Sequence, residues 1–235
     1  MRTKRADSVI FDFDGVIADT IEDVWASVEY ASEIAGGMMD RDFMKDTSHV
    51  ALPEEELLRH VRPYPGTEKL EAFCRALRIH YRTMNPFEKT RLYPGLEEIF
   101  HDLGMHGIPW TVVSSKPQEA LRRLLKVKGW EQLIPVSYSL DSIPGADNKA
   151  AVYRYLMGGM FASRHPVCVG DTWTDITAAR SCGLPVIAVL YGDGNTKALL
   201  AEHPDWTADT GWKLREILGQ VLYERIREKG SAVGL

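Results

Sequence analysis

Four short apolar, β-branched runs, each ending in a polar or glycine-containing turn, constrain this chain more than any other feature. Residues 9–13, 110–114, 166–170 and 185–191 are largely apolar at consecutive rather than alternate positions, the pattern of strands buried on both faces. Weaker runs of the same kind lie at 135–138 and 205–208. Helical patterns fall between them, at 96–105, 118–128, 150–160, 174–182 and 196–202, and a last one spans 212–229. Such alternation predicts an α/β fold with a mostly parallel sheet, right-handed crossovers and helices on both faces. Sheets of this type hold ligands beyond the carboxyl ends of their strands. The residues that follow each run are therefore the ones to read for chemistry.

The alternation fails once. From residue 20 to 89 the sequence is helical in character, with segments at 21–34, 54–60 and 67–82. A crossover needs about a dozen residues, and this stretch holds roughly five times that. The expected organisation is a core of residues 1–19 and 90–235 with an inserted α-helical domain at 20–89, its return marked by Leu92-Tyr93-Pro94-Gly95.

Composition excludes several classes. With 45% hydrophobic and 26% charged residues among 235, the chain is neither disordered nor fibrous. A net charge of −5 argues against nucleic acid or an anionic membrane as partner. The basic groups Arg2-Thr3-Lys4-Arg5 and Arg122-Arg123 read as solvated ends and faces, and the tail from Gly230 to Leu235 as frayed. Cys74, Cys168 and Cys182 fit no zinc spacing or disulfide framework. No apolar run approaches the ~18 residues of a membrane span, and the first is too short for a signal peptide. The expected setting is a reducing cytoplasm.

Four turns carry candidate chemistry. After the first run, Asp12-Phe13-Asp14-Gly15 places two carboxylates two positions apart, on one side if the strand's alternation continues. Together they need a cation or a proton between them, unless the segment is only a polar βα turn. After the second, Ser114-Ser115-Lys116-Pro117 offers a hydroxyl to an anion, although Ser115 equally suits the N-cap of a helix starting near Lys116. Lys149 falls near a helix start, where a cation is disfavoured unless an anion is close; a solvated surface lysine is the plainer reading. After the third run come Gly170-Asp171 and, four residues on, Asp175: a cap with a first-turn acid, or half of a hard-cation site. The turn Gly192-Asp193-Gly194 reads as structural.

In this order, Asp-x-Asp-Gly, Ser, Lys and Gly-Asp-x-x-x-Asp resemble the haloacid dehalogenase-like hydrolase superfamily from Val9 to about Leu218. The run from Asp12 to Thr20 and Ser114-Ser115-Lys116-Pro117 are similar to its phosphoglycolate phosphatase-like and phosphoglucomutase-like branches. The resemblance implies a Rossmann-like core with an α-helical cap that closes over the site and confers specificity. It also implies a Mg²⁺-dependent phosphatase acting on a small organic phosphate monoester. Asp12 would be the nucleophile that forms an aspartyl-phosphate, and Asp14 the general acid and base. Asp12, the main-chain carbonyl of Asp14 and Asp171 would hold the metal, with Asp175 behind them. Ser114 and Lys149 would bind the phosphoryl oxygens. Ala150 follows Lys149 where relatives often have Pro, which loosens that one assignment.

Two rival activities share this fold. Hexose-phosphate mutases of this type carry His twelve positions after the nucleophile, where this chain has Val24. A non-catalytic phospholigand-binding protein predicts damage at a catalytic position, and all six are intact. Asp14 weighs against dehalogenases and phosphonate-cleaving members, and a cap weighs against protein substrates. Trp25 reads as cap core, while Arg41, Lys45, Arg59, His60 and Arg62 read either as substrate contacts or as solvated charges. The expected state is a monomer or a small homo-oligomer.

Overall fold

The computed structural model describes residues 6–231; the basic group at 2–5 and positions 232–235 of the tail lie outside the described residues. With only the main-sheet strands numbered, the chain runs β1 (Ser8–Phe11), α1 (Ile21–Ala35), α2 (Glu54–Arg59), α3 (Leu70–Ile79), α4 (Leu96–Met105), β2 (Trp110–Ser114) and α5 (Gln118–Lys128). It continues through β3 (Ser137–Ser139), α6 (Lys149–Gly158), β4 (Pro166–Gly170), α7 (Trp173–Ser181), β5 (Val186–Val189), α8 (Thr196–Ala201), β6 (Trp206–Ala208) and α9 (Gly211–Ser231). Helix α9 ends at Ser231, one residue past Gly230.

Two compact units divide the chain. One holds residues up to Asp19, Leu92–Gln118 and everything from Gln132 onward; the other holds Thr20–Arg91 together with Glu119–Glu131. The sequence alone assigns 119–131 to the core. That segment groups instead with the helical unit because α5 reaches the irregular stretch after α3. The Arg123 guanidinium donates to the Asn85 carbonyl and lies 5.3 Å over the Phe87 ring, and Lys128 Nζ donates to the Phe87 carbonyl at 3.2 Å.

In the first unit the six strands form one sheet in the order β6-β5-β4-β1-β2-β3, with parallel pairing throughout. Helices cover both faces, as the strand alternation requires. On one face, Ile10, Val113 and Cys168 pack with Val152, Leu156 and Ile176 of α6 and α7. On the other, Phe11 meets Phe100 of α4 edge-on at 5.8 Å, and Phe100 stacks on Trp110 at 4.5 Å. Those of them that are fully buried, such as Ile10, Phe11 and Leu156, contribute about 1.5–3 kcal/mol each. Arg215 of α9 grips Asp102 of α4 through two hydrogen bonds, at 2.7 and 3.2 Å. Strand order reverses at β1, which has β2 on one side and β4 on the other. The crevice at such a reversal is where open parallel sheets bind ligands.

The helical unit has its own core. Trp25, Val28 and Ala31 form the buried stripe of α1 and pack with Leu57, Leu58 and Phe73 of α2 and α3. Trp25 is therefore core, as its spacing predicts. The basic residues named as contacts are paired within the unit: Arg41 with Glu29 at 2.8 Å, Lys45 with Asp42 at 2.6 Å, and Arg59 with Glu55 and Glu56. Arg62 lies 3.7 Å from Asp40, and the His60 ring stacks on Phe43 at 3.7 Å.

Candidate active site

The regular part of β1 stops at Phe11, so strand alternation does not govern Asp12 and Asp14 as the sequence suggests. Asp12 keeps one ladder bond, its N–H donating to the Val169 carbonyl at 2.9 Å, and its own Oδ1 accepts from Phe13 N at 2.7 Å. The chain then turns at Gly15, whose φ of 73° favours glycine. A Cβ there would sit 2.1 Å from Asp171 Oδ2, so the turn packs directly against the acid that follows β4. Asp12 is buried, whereas the Asp14 side chain is 32% exposed.

Lys149, the first residue of α6, is buried between two acids. Its Nζ lies 2.7 Å from Asp12 Oδ2 and 2.5 Å from Asp175 Oδ1. A cation at a helix N-terminus is disfavoured by about 0.3–1 kcal/mol, and two carboxylates outweigh that. Asn148 caps the helix by accepting from Ala151 N at 3.0 Å. The second oxygen of Asp175 accepts from Thr172 N at 3.0 Å and Thr172 Oγ1 at 2.6 Å, a reciprocal cap at the start of α7. The capping and the ion-pair roles of Asp175 therefore coexist, one on each oxygen.

Asp171 differs from its neighbours. Its Oδ2 accepts from the N–H groups of Asp193 and Gly194 at 2.9 and 3.2 Å, while its buried Oδ1 has no partner. The turn at 192–194 is structural as expected, but it also shapes the site. A Cβ on Gly192 would lie 2.3 Å from the Gly15 carbonyl oxygen and 2.5 Å from Asp171 Cβ. Asp12, Asp171 and Asp175 each bring a carboxylate oxygen within 4.8 Å of the others.

Crowding and burial shift these acids. Burial pushes Asp12 up to about 7; Lys149 pulls it down and Asp175 pushes it up again. Asp171 is held well above the usual carboxylate range by burial, then by Asp12 and Asp175. Burial pushes Asp193 up to about 6, helped by Asp19 and Asp14. Burial works against the charge on Lys149, but Asp12 and Asp175 together raise its pKa above the ordinary lysine value. An all-oxygen donor set with one orphaned, buried carboxylate oxygen fits a hard divalent cation. Lys149 and Thr172 engage the two Asp175 oxygens, and Phe13 N and Lys149 the two Asp12 oxygens, so Asp171 Oδ1 is the one carboxylate oxygen of the three without a donor.

Ser114 ends β2, is buried, and its Oγ accepts from Lys116 N at 3.0 Å. Ser115 is not the cap of α5. That helix begins at Gln118, and its first N–H is taken by Asp141 Oδ1 at 3.0 Å. The residue that sequence reasoning missed is Lys116. It is 4% exposed, and its Nζ lies 2.9 Å from Asp14 Oδ1 and 6.0 Å from the centre of the Phe13 ring. Its only signal was a lysine inside Ser-Ser-Lys-Pro; the pairing of β1 with β2, Val9 opposite Trp110, is what carries it to Asp14.

Buried acids at the reversal point of an α/β sheet, a lysine bridging two of them and an orphaned carboxylate oxygen form one cluster whose oxygen donors fit a hard cation. Residues 9–189 match the haloacid dehalogenase-like hydrolase family, and the chain belongs to it. It is thus an enzyme of the hydrolase class. Among its relatives is the phosphoglycolate phosphatase of Vibrio parahaemolyticus serotype O3:K6, 22% identical over 89% of this chain and 95% of that one. A haloacid dehalogenase-like hydrolase from Streptococcus pneumoniae shares the fold, with a TM-score of 0.75 at 19% identity over 92% of this chain and 99% of that one. So does a hydrolase of the family from Deinococcus radiodurans R1, with bound phosphate and sodium, at a TM-score of 0.70 and 16% identity over 93% and 97%.

Proposed function

We propose that this hydrolase is a phosphatase that cleaves small organic phosphate monoesters through an aspartyl-phosphate on Asp12, in a Mg²⁺-dependent reaction. The observation that carries the reading is the buried cluster itself: Lys149 bridging Asp12 and Asp175, beside the unpartnered Oδ1 of Asp171. Asp12 and Asp171, with the main-chain carbonyl of Asp14, would hold Mg²⁺, which when bound supplies positive charge against the transferring phosphoryl group.

The chain's own residues do the rest. A carboxylate is a weak nucleophile and succeeds by being held in line. Asp12 is held by the Phe13 N–H on one oxygen and Lys149 on the other. Its attack forms an Asp12 O–P bond and breaks the ester P–O bond, and the leaving oxygen takes a proton from the Asp14 carboxyl. Asp14 then takes a proton from the water that attacks phosphorus, which breaks the Asp12 O–P bond and frees phosphate. Lys149 and the Ser114 hydroxyl face the charge on the phosphoryl oxygens. Ser114 already accepts from Lys116 N, which leaves its own proton to donate. Selection among esters falls to the helical unit, acting as a cap. We place the reaction in the cytoplasm, where the three thiols, all free, stay reduced.

Phosphate release from a panel of phosphomonoesters, with 2-phosphoglycolate first because curated relatives carry that activity in their names, tests the reading. Release is expected to need both Mg²⁺ and Asp12. A folded protein that binds Mg²⁺ yet releases phosphate from no ester, or release that persists in Asp12→Asn, would overturn it. Dependence on a bisphosphate activator would instead make it a mutase, the reading Val24 disfavours.

A further inference from the structure

The ion pair between Lys116 and Asp14 has no part in the reaction as described, and its geometry is specific. Lys116 is nearly inaccessible, with 1% of its side chain exposed against 32% for Asp14. A buried ammonium is costly unless a group needs it there. Its main-chain N–H is fixed on Ser114 Oγ at 3.0 Å, so the lysine and the end of β2 are held as one piece. Its Nζ reaches Asp14 Oδ1 at 2.9 Å. An ammonium donates hydrogen bonds and accepts none. The contact therefore fixes the Asp14 carboxyl by its Oδ1 whichever protonation state that carboxyl is in, since a carboxylate and a carboxylic acid both accept.

We propose that Lys116 is a positioning residue for proton transfer. It holds the Asp14 carboxyl by Oδ1 and so fixes the orientation from which that group delivers a proton. The proposal rests on Asp14 being the general acid. In the first half of the reaction the proton leaves the Asp14 carboxyl for the ester oxygen as the P–O bond breaks; in the second it returns to that carboxyl from water. Lys116 gains and loses none.

The role predicts a dependence on the leaving group. An alkoxide needs a proton as it departs, whereas p-nitrophenolate does not, and kcat/KM reports the step in which the ester bond breaks. Wild type, Lys116→Met, Asp14→Asn and the double variant are assayed on an alkyl phosphate and on p-nitrophenyl phosphate, with thermal melting as the check on folding. Lys116→Met is expected to lower kcat/KM for the alkyl ester about 100-fold and for the aryl ester less than about threefold. In the Asp14→Asn background, loss of Lys116 should cost less than about threefold on either ester, because it acts only through Asp14. Equal losses on both esters, no loss on either, or independent effects in the double variant would overturn the proposal. If Asp14→Asn itself shows no preference between esters, the assignment of the general acid falls first. If Asp14→Asn shows the preference and Lys116→Met does not, only the role of Lys116 falls.

Discussion

Asp23 in the helical unit and Asp171 after β4 are both buried aspartates, and their surroundings treat them in opposite ways. Asp23 Oδ2 accepts from Thr90 N at 2.6 Å and Thr90 Oγ1 at 2.7 Å. Its carbonyl accepts from Asn85 Nδ2 at 2.5 Å; the same amide nitrogen reaches Ser27 Oγ at 2.8 Å, and Asn85 Oδ1 accepts from Phe87 N at 2.8 Å. The network ties the start of α1 to the irregular segment that follows α3. It is polar, buried and satisfied by neutral donors, which is what a structural element requires. Asp171 has donors on one oxygen, none on the other, and Asp12 and Asp175 within reach. Folding alone would not select that arrangement. Burial with partners builds a unit; burial among like charges with a partner missing marks a place where a ligand completes the structure.

Substitutions at the crowded end should cost activity rather than stability. Asp12→Asn removes the proposed nucleophile, and phosphate release should fall by at least ~10⁴-fold while the protein melts no lower than wild type. Phosphate release and a melting curve on the same sample check both halves. A residual rate near wild type would break the contrast at its strongest point. Asp171→Asn is the sharper case. Because burial and neighbouring acids oppose its charge, a neutral amide there should leave the metal-free melting temperature unchanged or raised. The same variant should lose about 100-fold in kcat/KM and need far more Mg²⁺ to reach its maximum. A variant melting well below wild type without metal would mean that Asp171 is structural, like Asp23.

Much of this was legible in the chain. The bounds of β2, β4, α4 and α5 follow from where apolar runs meet Pro, Gly or Ser. The order of acids and lysine identifies the crevice, because strand order in a parallel sheet fixes which loops share an edge. Three things were not legible. The end of β1 at Phe11 depends on the turn that Gly15 makes against Asp171, a contact from the far half of the chain. Lys116 stands two residues before a helix, where lysines are ordinarily solvated, and only the pairing of β1 with β2 buries it on Asp14. The grouping of α5 with the helical unit depends on carbonyls of Asn85 and Phe87, which lie in no helix or strand; Phe87 has a φ of 52° that no pattern announces.

The satisfied end should behave in the reverse way, with smaller effects. Asp23→Ala removes the acceptor of the Thr90 N–H, and an unsatisfied buried donor costs about 1–3 kcal/mol. The urea midpoint should fall accordingly while kcat per folded molecule stays within about twofold, since Asp23 holds only its own unit together. The last and smallest effect belongs to His80. Its Nδ1 meets Ser27 Oγ at 3.0 Å and its ring stacks on Tyr30 at 4.6 Å. Burial, then Arg123, lowers its pKa below the ordinary 6.5. The unfolded chain therefore takes up a proton here at a higher pH than the folded one. The stability His80 confers is present above about pH 6.5 and is lost as pH falls from there through the lower folded value. His80→Gln cannot take up that proton, so its melting temperature relative to wild type should rise by about 2 °C between pH 7.5 and pH 5.5. A difference that stays constant over that range would mean that the ring is protonated equally in both states, and that the network around Asn85 holds without regard to its charge.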